Sequence, residues 1–157
     1  MANWCSNHLH ATGGNVEGLH ELLESARRHT LEKHEGWMFT TDGHRYLFDF
    51  DRNGDQWNFE TRWSPPIEEI FTIARTLGVS IEMDYVETGN CIFGRMRYDH
   101  TTGNVIDICL DDSDFDRVSY DDETDTYRFN DEVYDSEYEP LEIMLDAKWK
   151  EVTNDGL

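Results

Sequence analysis

His8 and His10 lie two residues apart, so a strand there puts both imidazoles on one face, a spacing that can chelate a metal. No third ligand follows from the sequence, and we assign no metal. Cys5 precedes His8 by three residues. On a strand such positions point to opposite faces, so thiol and imidazole do not form a nucleophile–base pair. Asp112, Asp114, Asp116 and Glu123 fall at positions 1, 3, 5 and 12 of a calcium-binding loop. Position 6 is Arg117, where such a loop needs glycine, and no helix is expected before Asp112. Loose divalent-cation binding by dense acids is the cation chemistry left open there. Ser64 reads as a helix cap and Cys91 and Cys109 as core strand positions. No carboxylate pair is singled out by spacing as acid and base. We expect neither catalysis nor a cofactor.

The strongest chemical signal is where the negative charge sits. Residues 104–157 carry eighteen Asp and Glu against four Lys and Arg, which is −14 of the total −21. Such a surface repels nucleic acid and anionic membrane and attracts groups that normally hold phosphates. A halophile would spread its acids over the whole surface, so the concentration points to a local cause. Tyr120, Tyr127, Phe129, Tyr134 and Tyr138 lie among the acids. This mixture suggests an ordered face rather than a solvated tail. The carboxylates expected to meet a partner are Asp111, Asp112, Asp114, Asp116, Asp121, Asp122, Glu123, Asp125, Asp131, Glu132, Asp135 and Glu137.

A chain of 157 residues, 13% of them aromatic, is one domain or one small domain with an extension. Three dispersed cysteines with no CxxC suggest free thiols and a reducing cytosol. Met1-Ala2-Asn3-Trp4 lacks the basic and apolar regions of a signal peptide, and no apolar run is long enough to span a membrane. We expect a cytoplasmic protein.

Asn3 to Thr12 reads as a strand, with Cys5, Leu9 and Ala11 on one face and Asn7 interrupting them. Asn15 caps a helix of about four turns, with Val16, Leu19, Leu22, Leu23 and Ala26 inward and basic residues Arg27 and Arg28 at its end. Thr30 to His44 is the one long loop. Tyr46, Phe48 and Phe50 form one face of a second strand. Asn53-Gly54 signals a hairpin into a third strand, along which Trp57, Phe59, Thr61 and Trp63 alternate. Ser64 then caps a helix with Pro65 at its first position, and Gly78 ends it. Strands over Val79 to Tyr85 and Cys91 to Tyr98 follow. This order is the α+β, ferredoxin-like βαββαβ plan: a sheet with two helices on one face, plus one extra strand. Beyond Asn104 we expect a further strand over Val105 to Leu110. A short hairpin should surround Asp121 to Asp125, and a helix should run from Pro140 to Lys150 with Leu141, Met144 and Leu145 inward. We place domain limits at 1–103 for the ferredoxin-like domain and 104–157 for an acidic extension. Trp4, Trp57, Trp63 and Trp149 read as core, and Trp37 as the exposed one.

Two separated motifs then carry a resemblance. Asn3-Trp4-Cys5-Ser6-Asn7, together with Phe59-Glu60-Thr61-Arg62-Trp63-Ser64-Pro65-Pro66, resembles the YubB-like ferredoxin-like domain family of plasmid and phage proteins. Tyr85-Val86-Glu87-Thr88-Gly89-Asn90-Cys91-Ile92-Phe93-Gly94 is similar to that family's tyrosine–glutamate–glycine hairpin. The likeness covers about residues 1–100. It departs at Phe48 to Trp57, where the family usually has an Asn-Trp-Gly segment followed by Lys-Trp, so the chain resembles a divergent member. The resemblance implies a ferredoxin-like fold and a mobile-element origin, and it implies no reaction.

Charge segregation and this resemblance together lead us to expect a non-enzymatic inhibitor. It would bind a host nucleic-acid-handling defence protein, of CRISPR or restriction type, by presenting acids in place of phosphates. Two alternatives stand beside it: an assembly module binding a protein through its sheet, and an uncharacterised enzyme. Direct nucleic-acid binding is disfavoured by the net charge and the lack of a basic stripe.

Overall fold

The computed structural model describes residues 3–39 and 45–154. Strand β1 (Trp4–Gly14) turns Cys5, Asn7 and Leu9 inward. Asn7 is fully buried there, because its amide donates to Cys5 O, Phe59 O and Thr61 Oγ1. Helix α1 (Val16–Lys33) starts at the expected cap, where Asn15 Oδ1 accepts from Gly18 N at 3.0 Å. It runs 18 residues, one turn beyond expectation, and takes in Thr30 to Lys33. No breaker precedes His34, which leaves the helix in the left-handed region (φ 52°). Trp37 and Leu47 then exchange both backbone hydrogen bonds, at 2.7 and 2.8 Å. Trp37 packs on the core, contrary to its expected exposure. The remainder of the expected loop, 40–44, lies outside the described residues.

Strand β2 (Phe48–Asn53) carries the first departure in register. Asp49 adopts a positive φ of 54°, and pairing with strand β3 (Gln56–Arg62) shifts between Phe48 and Asp51. Such a bulge breaks the period of two. Phe50 and Leu47 are therefore buried, while Tyr46 is exposed. The Gly54-Asp55 turn closes the expected hairpin, with Gly54 at φ 63°.

On β3, Trp57, Phe59 and Thr61 point inward, but Trp63 lies past the strand at φ 71° and is 52% exposed. Trp4 is also exposed. Ser64 does not cap the next helix. Its hydroxyl accepts from Arg45 Nη1 at 3.0 Å, and its carbonyl takes bonds from Arg45 Nη2 and Thr61 Oγ1. Helix α2 (Ile67–Leu77) begins after Pro66 with no side-chain cap. Pro66, at the cap position, lacks an N–H group and so leaves one donor fewer there to satisfy. Gly78 ends it in the left-handed region, as expected.

Strand β4 (Val79–Glu87) buries Val79, Ile81, Met83 and Tyr85. A 3-10 turn, Thr88–Asn90, leads to β5 (Ile92–Tyr98), and β6 (Val105–Cys109) follows. The sheet order is β2-β3-β1-β4-β5-β6, antiparallel throughout. Leu19, Leu23 and Ala26 of α1 and Ile70, Phe71 and Ala74 of α2 join the inward residues of β1, β3, β4 and β5 in one core.

The opposite face of β5 is covered by a second core. Helix α3 (Asp112–Phe115) leads into a small sheet of β7 (Ser119–Asp121), β8 (Thr126–Phe129) and β9 (Glu132–Tyr134). Helix α4 (Tyr138–Asn154) closes the chain. Phe93 and Leu110 pack there with Phe129, Leu141, Met144 and Leu145. Among the described residues, no helix is long and apolar enough to cross a membrane.

The three thiols divide by burial. Cys5 is fully buried and its pKa is pushed up to about 12, chiefly by desolvation. Cys91 sits at φ 55° outside any strand and Cys109 is exposed, so neither is a core strand position. A thiol reagent at neutral pH is expected to modify Cys109 first and to reach Cys5 only on unfolding. Peptide mapping of a timed alkylation checks this, and early Cys5 labelling would contradict the packing of β1.

Candidate functional site

The expected carboxylates separate into two settings, and other carboxylates form a third. Asp111 caps α3: its Oδ1 accepts from Asp114 N at 3.0 Å and from Ser113 Oγ at 2.6 Å. Asp114 Oδ2 accepts from Asp111 N at 2.9 Å, completing a reciprocal cap. The Ser113 hydroxyl, the Asp114 N–H and nearby Lys148 hold the Asp111 carboxyl at about 2. Asp114 is only 7% exposed and accepts from Lys148 Nζ at 2.5 Å. It is an internal ion pair and has to be withdrawn from the expected partner-facing set. Its partner lies 34 positions away, beyond the reach of any local pattern.

The second setting is the β7–β8–β9 sheet. The register pairs Asp121 with Thr126, Tyr127 with Tyr134 and Phe129 with Glu132. Asp121, Asp122, Glu123 and Asp125 therefore gather at one end of β8, and Asp135 leaves β9 at the same end. Asp131 and Glu132 mark the other end, where Asp116 precedes β7. Local bonds hold this platform. Asp125 accepts from Tyr120 at 2.8 Å, Glu132 from Tyr134 at 3.2 Å, and Asp121 from Glu123 N at 3.0 Å. The Tyr120 and Tyr127 rings lie 5.0 Å apart. Asp112 is exposed on α3, and Glu137, half-buried, precedes α4.

Two cations, Arg117 and Arg128, lie within this acidic surface. Among the described residues, Asp112, Asp116, Asp121, Asp122, Glu123, Asp125, Asp131, Glu132, Asp135 and Glu137 form no ion pair. Arg117 lies over the Phe129 ring at 5.1 Å and reaches Asn130 rather than an acid. Among the described residues, no three His, Cys, Asp or Glu side chains are placed to hold a metal. The helical turn of α3 and the inward Asp114 occupy the calcium-loop spacing. His8 and His10 lie half-buried on the face of β1 opposite Cys5, Asn7 and Leu9, where His8 Nδ1 sits 2.6 Å from Asn58 Oδ1.

The third setting is one the sequence reading missed, on the sheet face under α4. Cross-strand register makes a row of Asn58, His8, Asp84, Arg95 and Ile108. Arg95, 9% exposed, meets Asp84 Oδ1 at 2.8 Å, Asp146 Oδ1 at 3.1 Å and Glu142 Oε1 at 3.2 Å. Its guanidinium lies 5.4 Å from the Trp149 ring centroid. Beside this cluster a groove of about 390 Å³ opens between β1, β4, β5 and α4. Alternation on β1 and β4 puts Ser6, His8 and Asp84 on this face. That α4 returns to cover it is not encoded locally.

Two carboxyls here are raised. Burial lifts Glu142, with Asp84 and Asp146 adding to it against Arg95, and burial lifts Glu60 against its bond from Ser6. Both therefore bind protons more tightly folded than unfolded. Their effect on stability falls as pH rises from the ordinary 4.5 through the raised values. Asp99 and Asp111 are lowered from 3.8, so their stabilisation is complete above that value and is lost as pH falls below it. Melting temperature is expected to rise as the pH is lowered from neutrality towards the ordinary 4.5 and to fall once it drops below 3.8. A circular-dichroism melting series checks this, and a steady decline from neutrality to 4.5 contradicts it.

Residues 36–130 match the sequence model of a family described as the ferredoxin-like domain in Api92-like protein. The matched stretch ends just past β8. No curated protein and no solved structure matches the chain.

Proposed function

The chain belongs to the family of the ferredoxin-like domain in Api92-like protein, and from that premise we propose that it acts without catalysis, as an acidic inhibitor. The target is a nucleic-acid-handling defence protein of a bacterial host, of CRISPR or restriction type. The chain is a divergent YubB-like protein of a phage or plasmid and works in the host cytoplasm. In this reading β1 to β4, with α1 and α2, are the βαββαβ core. Residues 104–157 are the acid-rich extension that carries the function.

One observation carries the proposal: an ordered platform whose exposed carboxylates form no ion pair among the described residues, although Arg128 lies on β8 between them. Such a surface repels itself and costs stability, which a role in binding explains. β8 spans four residues, so its two acidic ends stand roughly 13 Å apart at ~3.3 Å per residue. Lys and Arg spaced to hold phosphates would meet carboxylates instead, and nucleic acid would be shut out by competition.

The test is affinity capture from bacterial lysate at low and at high salt, with mass spectrometry. A nucleic-acid-binding protein retained at low salt and released at high salt supports the proposal. A second reading rests on Trp4, Tyr46 and Trp63, which are exposed near one end of β1 and β3. Those rings suit an assembly module that docks a protein through its sheet. A partner that resists salt, and is lost with Trp63→Ala, would favour that reading.

A further inference from the structure

The groove beside Arg95 is independent of the β7–β9 carboxylates, and its lining is chemically divided. Val86, Phe93 and Leu145 give it an apolar wall, while Asp84 and Glu142 supply carboxylates and Tyr138 an aromatic rim. Arg95 does not line it. The guanidinium lies beneath, shared by Asp84, Glu142 and Asp146 and covered by Trp149. Three carboxylates around one guanidinium leave a surplus of two negative charges. The volume of about 390 Å³ falls in the range of small-molecule sites.

We propose that this groove binds an alkylammonium group, with the aliphatic chain against Val86, Phe93 and Leu145 and the cationic head between Asp84 and Glu142. An anion would meet the carboxylate surplus, and a neutral polar group would gain no Coulomb attraction in exchange for its hydration. An alkyl chain ending in a cation uses both halves of the lining, as lysine stems do when they pack on apolar surface. Tyr138 can add a cation–π contact at the rim. The same chemistry is available from a free diamine and from a lysine side chain of another protein.

Titration calorimetry with the intact protein tests this. The probes are putrescine, Nα-acetyl-lysine-N-methylamide and, as neutral control, 1,4-butanediol. One-to-one binding of either cation without butanediol binding supports the proposal, and the cation that binds tells the free amine from the protein side chain. Glu142→Gln should weaken binding about tenfold, equivalent to ~1.4 kcal/mol. Glu142 is half-exposed, so the variant should fold. Tyr138→Ala, also at an exposed position, is the second variant and should weaken binding as well. Binding that survives both variants but vanishes in Asp122→Asn/Glu123→Gln/Asp125→Asn would be a diffuse ion atmosphere and would overturn the site. So would equal binding of butanediol, or no binding of either cation.

Discussion

Changing Asp122, Glu123, Asp125, Asp131, Glu132 and Asp135 together to their amides is expected to lower partner affinity about a hundredfold or more at low salt. The same variant should melt at a higher temperature than the wild type. These six side chains are exposed, none caps a helix and none has an ion-pair partner among the described residues. Their removal therefore costs the fold nothing beyond two tyrosine hydrogen bonds, to Asp125 and Glu132, which the amide oxygens can keep. What they lose is mutual repulsion. Asp111 and Asp114 are left out because they cap α3 and hold Lys148, so their loss would mix unfolding with loss of binding. The residual affinity should also depend less steeply on salt, since fewer counterions are exchanged on binding. Unchanged affinity, or a lower melting temperature, would remove the carboxylate platform from consideration.

Arg95→Met is expected to be strongly destabilising. It leaves Asp84, Glu142 and Asp146 facing one another without their shared cation and removes a stack on Trp149. Breaking a fully buried pair costs about 3–5 kcal/mol, but these carboxylates are 40–50% exposed and water relieves part of the charge. A loss of about 2–3 kcal/mol remains, or roughly 5–10 °C in melting temperature for a domain of this size. The defect should shrink as the pH falls from neutrality to the ordinary 4.5, because Glu142, already raised, takes up a proton and relieves the repulsion. Arg95→Lys should fall between the two, because an ammonium cannot present a planar fork to three carboxylates. Denaturant unfolding at both pH values checks this, and a pH-independent defect would mean that packing, not charge, was lost.

The sequence reveals those parts of the fold that depend on neighbours in the chain. The alternation of β1 and β4, the Asn15 and Gly78 helix ends and the hairpin at Asn53-Gly54 are short-range effects, and each is present in the structure. Long-range contacts hide the rest. The bulge at Asp49 moves Leu47 into the core, and Arg45 holds the turn that leaves Trp63 outside it. Strand β9 has three residues, too few for a visible period, and α4 begins at Tyr138 because Pro140 is tolerated in a first turn. At the carboxylate surface the charge excess is plain from composition, whereas the withdrawal of Asp114 depends on Lys148. The groove likewise depends on Glu142 and Asp146, which lie 47 and 51 positions from Arg95.

The decisive measurement is a competition assay on the captured partner. Its binding to a labelled duplex is titrated at increasing concentrations of this protein, at low salt. Competition for one basic groove raises the apparent Kd of the duplex in proportion to protein concentration and leaves the fully bound signal unchanged. The six-amide variant should shift it far less. A ternary complex, a fall in the bound plateau at unchanged Kd, or no effect at all would show that the carboxylates do not occupy the place of phosphates.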